Sequence, residues 1–311
     1  MTKLTSHSPQ ERTIEASFRG ISFLATLTVI VLMLGLVWTL TEDATEAIQK
    51  YGLGFLLNTE WNPVSGRETY GILPMLYGTI ASSSIALLLA IPLGVTTAIF
   101  LSEKFLPSPL ENLLVFLIEL LAAIPSVVYG FWGIFVLIPF LQPPSLWLNE
   151  HWGEFPLFST PPLGPGLLPA GVILAIMILP IITAISRSSL KTVPSELREA
   201  VMALGVTRWE AITFIVLPTA SSGIIGAVIL ALGRALGETM AVTMVIGNAN
   251  QLQLSLFAPA STIASLLANQ FAEAQGMQVS ALMYAGLVLL IVTLAVNLVA
   301  EIMLQNLGTK E

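Results

Sequence analysis

The chain contains no cysteine, which excludes disulfides and thiolate metal sites. It is also poor in charge: 10% of its residues are Asp, Glu, Lys or Arg, against about a quarter in an ordinary soluble domain. Its two histidines, His7 and His151, fall in a tail and a loop without metal-like neighbours. No basic patch suggests nucleic acid as a partner. Neither Gly-x-Ser-x-Gly nor His-Glu-x2-His occurs, which removes the common hydrolase and zinc-protease signatures. None of Lys3, Lys50, Lys104, Lys191 and Lys310 follows a glycine, so the phosphate-cradling P-loop is missing as well.

What fills the sequence is apolar. Hydrophobic residues make up 55% of the 311. Charge-free runs cover Gly20–Thr41, Thr69–Ser102, Leu120–Asn149, Phe155–Ser186, Ala211–Gly233 and Ala274–Ala300. A run of about 20 apolar residues can cross a bilayer as a helix. In lipid each backbone group must bond within its own segment, so spanning loops and open sheets are excluded. These runs predict an all-α membrane protein with six transmembrane helices. The first apolar stretch exceeds the usual signal-peptide core and lacks an obvious cleavage site, and reads as a retained anchor.

The expected order is a polar tail over 1–19, a first span over 20–41 and a polar loop over 42–70. A membrane domain over 71–305 follows, with helices near 75–101, 113–138, 167–185, 219–246 and 281–304, and 306–311 as a C-terminal tail. Residues 141–166 hold eight of the prolines and tryptophans and read as a loop, its aromatics suited to the membrane boundary. Six spans place both termini on one side. That side carries Lys3, Arg12, Arg19, Lys104, Arg187, Lys191, Arg198, Arg208 and Lys310, while the other carries Lys50 and Arg67. The positive-inside rule assigns the richer side to the cytoplasm. No internal repeat is evident.

The segment between the fourth and fifth spans has helical signals of its own. Pro194-Ser195 reads as a helix start, with Ser195 as the cap and acids in the first turn. Gly205 can end that helix. Thr207 and Glu210 have the spacing of a capping box. The expectation is a helix–turn–helix outside the membrane, and composition alone would make it an ordinary connector. The pattern Glu199-Ala200-x3-Ala203-x-Gly205, then Leu217-Pro218, resembles the EAA loop of ABC importer permeases, with Val201 where the family usually has alanine. This resemblance implies a type I ABC importer permease with a cytoplasmic coupling helix. It makes residues 195–211 the coupling segment, with Glu199, Ala200, Ala203, Gly205 and Arg208 facing a separate ATP-binding subunit. ATP and Mg would be bound there, and no cofactor by this chain.

The run Gly233-Arg-Ala-Leu-Gly-Glu-Thr-Met240 puts Arg234 deep in an apolar helix. A charge at that depth costs roughly 2.5–3.5 kcal/mol and usually faces the bundle interior or a water path. Glu238, four residues on, is expected to share its face and pair with it. Chemistry alone leaves two readings equal: a salt bridge that permits its own burial, or an anion site in a pathway, since guanidinium offers a planar fork to oxyanions. Small-x3-small spacings around Gly233 and Gly237 suit close helix packing.

This run also resembles permeases of the phosphate-specific PstC type. So do Trp61-Asn62-Pro63 with Tyr70-Gly71-Ile72-Leu73-Pro74, and the stretch Ala122–Gly133, which contains Ile124-Pro125-Ser126. The resemblance implies phosphate import through the inner (cytoplasmic) membrane of a bacterium, with substrate passing Arg234 and Glu238. It implies a homologous second permease subunit, two ATP-binding subunits and an extracytoplasmic phosphate-binding protein. Another oxyanion remains an alternative, as does a passive anion channel. Pro125 should kink the third helix and free carbonyls, as packing or as part of a gate. Glu119 reads equally as interfacial or functional. Ser82, Ser83 and Ser84 read as hydroxyls that bond across helices, not as nucleophiles.

Overall fold

The computed structural model describes residues 9–64, 66–103 and 105–308. The expected roles of Lys3, Lys104 and Lys310, the side chain of Arg12, and residues 1–8 and 309–311 of the tails lie outside the described residues. Helix α1 covers Pro9–Tyr51. A short turn at Gly54–Leu57 leads to α2, Leu73–Ser102. Then come α3 (Ser108–Ala123) and α4 (Ser126–Trp152). Helix α5 is Leu167–Thr192, α6 Ser195–Ala203, α7 Arg208–Thr219 and α8 Ser221–Gly237. Short α9 (Met240–Val245) and α10 (Ile263–Gln270) precede α11, Met277–Gly308. Among the described residues five helices are long and apolar enough to cross a membrane, and α7 with α8, bent by 67°, makes a sixth where the bent pair is counted as one span.

The centre of the bundle is α2 against α5, the most extensive pairing in the fold. Ala86 and Ala90 of α2 and Ile173, Leu174, Ile178 and Ile182 of α5 are fully or nearly fully buried. Thr183 donates its hydroxyl to the Gly94 carbonyl at 3.3 Å. Small residues and hydroxyls suit helix contacts in lipid, where no hydrophobic force drives association. Helix α1 pairs with α11 and exposes most of its surface, as a lipid-facing helix should.

At the end of the bundle opposite α6, a second cluster forms. Phe55 stacks on Tyr284 at 4.4 Å, and Trp61 meets Tyr70 edge-on at 4.9 Å. Asn62 and Thr69 exchange backbone hydrogen bonds of 2.8 and 3.1 Å, so the two motifs flanking this loop clip to each other. Gly71 packs on the Asn58 backbone with no room for a Cβ. That close approach explains a glycine in the Tyr70–Pro74 motif.

Four boundaries differ from expectation. The first helix extends past the apolar run of 20–41 at both ends, so the 42–70 loop starts as helix. Ala44 and Ala47 are completely buried there, and Ser280 Oγ accepts from Ala47 N at 3.0 Å. Tertiary contact thus keeps polar residues helical. The stretch from 141 is not loop until Trp152, because α4 runs through Pro143 and Pro144 with both rings on its exposed side. The third helix is broken at Pro125, not kinked. Ile124 is extended, with ψ 128, as the residue before proline prefers. Tyr129 donates to the Leu121 carbonyl at 2.8 Å, occupying an acceptor near the break. The fifth helix breaks at Glu238.

Proline is handled the same way twice. Wide π-type turns at Gly133–Leu137 and Ile212–Val216 stand just before Pro139 and Pro218. In each, the next amide reaches five residues back, Ile138 N to Gly133 O and Leu217 N to Ile212 O. The looser turn makes room for a ring that would collide with a regular α-helical carbonyl.

Candidate coupling platform and anion pathway

The segment between α5 and α7 forms the expected helix–turn–helix. Its start differs slightly: Pro194 is the cap position and makes no side-chain cap bond, while Ser195 is already helical. The ring of Pro194 pre-sets the entry with φ −56 and needs no amide. Gly205 ends the helix in the left-handed region at φ 82, which costs a residue with a Cβ but not glycine. The capping box is present. Glu210 Oε2 accepts from Thr207 N at 2.7 Å, and Thr207 Oγ1 accepts from Glu210 N at 3.3 Å.

Glu199, Ala200, Ala203, Gly205 and Arg208 are all solvent-exposed. The face also presents apolar side chains, with Leu204 83% and Trp209 65% exposed. Alanines at 200 and 203 leave the backbone open to a close partner. Beneath this face the segment is tied down. Arg198 donates to the Leu190 carbonyl at 2.6 Å and pairs with the buried Glu103 at 3.0 Å. Glu111 at the start of α3 accepts from Arg187 at 2.7 Å and Lys191 at 2.9 Å. The hydrogen bonds from Lys191, then Arg187, hold the Glu111 carboxyl below its ordinary range. Arg208 lies 4.1 Å from the Phe105 ring centre, and Phe105 stacks between Phe100 and Trp209. The platform is thereby fastened to α2, to α3 and to the link between them.

The membrane site differs from expectation in one respect. Arg234 and Glu238 form no ion pair. Helix α8 ends at Gly237, and Glu238 adopts ψ 125, which turns it out of helical register. Its carboxylate instead accepts from Ala241 N at 3.4 Å, at the start of α9. The i,i+4 reasoning assumed a continuous helix, and the break removes that premise. Arg234 is exposed and lines a cavity of about 750 Å³ between α5, α8 and α11.

Two further polar residues reach this cavity: Asn297 and Glu301 on α11. They stand one helical turn apart in an apolar span, and that spacing was a sequence signal left unused. Buried polar groups are nearly always bonded, yet Asn297 Oδ1 is buried without a partner. Pro125 and Glu119 take no part in this cavity's lining. Ser82 and Ser84 bond carbonyls of their own helix, at 3.3 and 2.7 Å, and not across helices as expected, while Ser83 Oγ is buried without a partner among the described residues. Among the described residues no cluster of His, Asp and Glu could hold a metal.

Residues 90–310 match the family described as "Binding-protein-dependent transport system inner membrane component", and the chain belongs to that family. It is a multi-pass membrane protein of the permease class. Within the class its likeness is specific. It is 45% identical to the phosphate transport system permease protein PstC of Mesorhizobium japonicum, over 95% of this chain and 91% of that one. It is 42% identical to the PstC of Pasteurella multocida, over 96% of this chain and 94% of that one. These relatives bear out the PstC-type resemblance read from the motifs.

Solved structures support the fold. A bacterial alginate ABC transporter matches with a TM-score of 0.63 at 16% identity, covering 93% of this chain and 95% of that one. The MetNI methionine ABC transporter matches with a TM-score of 0.53 at 17% identity, covering 76% and 94%. The all-α, type I importer architecture expected from the sequence is therefore borne out.

Proposed function

We infer that this chain is the membrane permease subunit of an ATP-driven ABC importer that carries inorganic phosphate. The observation that carries this reading is Arg234. It is a cation in a membrane helix, without an ion pair among the described residues, on a wide cavity, in a chain 45% identical to a phosphate permease. Guanidinium without a carboxylate partner is free to donate to an oxyanion.

The exposed face of the α6–α7 segment, with Glu199, Ala200, Ala203, Gly205 and Arg208, docks into an ATP-binding subunit, which supplies ATP, Mg and the hydrolysis. This chain binds no cofactor. A push on α6 passes through Arg198 to Glu103 and through Glu111 to α3, so that α2, α3 and α5 move as a body. Phosphate passes Arg234 during alternating access. Glu238 acts by holding the break between α8 and α9, and thereby the direction of Arg234. The complete transporter holds a homologous second permease, two ATP-binding subunits and an extracytoplasmic phosphate-binding protein. Both termini and α6 lie in the cytoplasm, and the bundle sits in the inner membrane of a bacterium.

Reconstituted vesicles test this. Phosphate uptake that requires ATP, the ATP-binding subunit and the binding protein is the expected result. Flux without nucleotide would make the chain a passive anion channel, and uptake of sulfate or molybdate in place of phosphate would reassign the substrate.

A further inference from the structure

We propose that Asn297 is a substrate-selecting residue of the same cavity, reading the proton that phosphate carries and sulfate lacks. This rests on the phosphate-import reading above. Asn297 shares the cavity with Arg234. A Cβ placed on Gly233, the residue before Arg234, would lie 3.6 Å from Asn297 Nδ2 and 3.8 Å from its Oδ1. The amide is therefore held against the turn of α8 that carries the arginine. It makes no hydrogen bond to the described protein, and its oxygen is buried without a donor. A buried amide oxygen left without a donor, inside an apolar helix, is an exception to the rule that buried polar groups are paired.

An amide offers one acceptor and two donors. Inorganic phosphate near neutral pH keeps at least one P–OH, so it both accepts and donates hydrogen bonds. Sulfate is fully deprotonated and only accepts. Arg234 supplies donors and positive charge, which serve either anion equally. The Asn297 carbonyl oxygen, once rotation of the amide turns it from its buried position into the cavity, serves only the protonated one, and against sulfate it sets a negative dipole end facing an anion oxygen. A site built to hydrogen-bond a substrate OH strongly rejects the analogue without it, because its own polar group stays unpaired. Selection thus happens within the permease itself.

The test uses the assembled permease–ATPase complex and the variants Asn297→Leu and Asn297→Ser. Leucine is near in size and removes an unbonded polar group, so a merely structural asparagine would leave uptake and stability unchanged or improved. The expected result is at least a tenfold loss of phosphate uptake in Asn297→Leu with binding-protein-stimulated ATP hydrolysis retained. Asn297→Ser, which keeps a donor and an acceptor, should recover part of the uptake. Without binding protein, inorganic phosphate should raise the unfolding midpoint of the wild-type complex more than sulfate does. That difference should vanish in Asn297→Leu. Wild-type uptake by Asn297→Leu, or equal shifts by the two anions in the wild-type complex, overturns the proposal while leaving the import function standing. Failure of the wild-type complex to import phosphate overturns both.

Discussion

The platform around α6 and the cavity beside Arg234 use polar residues in opposite ways. On the platform the charges are tied across helices: Arg198 to Glu103 and Leu190 O, Arg187 and Lys191 to Glu111, Arg208 over Phe105, with only Arg198 Nε and Glu103 Oε1 among the described residues short of a hydrogen bond. In the cavity, Arg234 has no ion pair and Asn297 no hydrogen bond among the described residues. Engaged groups make a stiff body that can transmit a push. Unengaged groups keep their bonding capacity for something that arrives and leaves. The same residue types therefore serve force in one region and binding in the other.

Breaking the cavity side should have the largest effect. Arg234→Gln removes the charge-assisted bonds, each worth about 1.5–3 kcal/mol, and should cut phosphate uptake by roughly a hundredfold in vesicles. The complex should still assemble, since no ion pair is lost. Retained transport would return Arg234 to the role of an idle surface cation. Next is the platform. Arg198→Met strands Glu103, only 9% exposed, without its counter-charge. Breaking a buried pair from one side typically costs about 3–5 kcal/mol, and the quarter exposure of Arg198 puts the expectation at or below the lower end. ATP hydrolysis should continue while uptake falls, and unchanged coupling would disconnect α6 from α2.

A smaller effect is expected at Gly205, where an added Cβ meets nothing within 4 Å. Any cost of Gly205→Val is therefore backbone cost, about 1–2 kcal/mol for a left-handed residue. It should appear as roughly tenfold weaker coupling, with Gly205→Asn close to wild type. If valine and asparagine behave alike, the turn is not what positions the docking face. The smallest effect concerns pH. Glu111 has a folded pKa below its ordinary value of 4.5. Its stabilising contribution is thus full above the ordinary glutamate range and is lost as pH falls through that range towards the folded pKa. Thermal unfolding of wild type and Glu111→Gln should converge at acid pH and separate near neutrality. Parallel curves would mean that the Arg187 and Lys191 contacts contribute nothing measurable.

Much of the platform was legible in advance because its signals are local. A proline entry, a glycine exit and a Thr207–Glu210 capping box act within four residues, and α6 and α7 form as those signals predict. The Arg234 cavity was half legible. An arginine in an apolar run stands out, but its partner was misassigned because helical spacing says nothing about where a helix stops. Asn297 lies 63 positions beyond Arg234 in the sequence, and no local pattern joins them.

The sequence by itself determined that the chain crosses a membrane as several helices and where a capped helix–turn–helix stands between two of them. Those outcomes follow from apolar length and short-range capping, which any bilayer or solvent reads in the same way. The tertiary structure decided where α8 breaks, which carbonyl Tyr129 meets, how far α1 runs beyond its apolar core, and which side chains line the cavity. Those depend on contacts between segments distant in the chain, whose free energies exist only once the helices have packed.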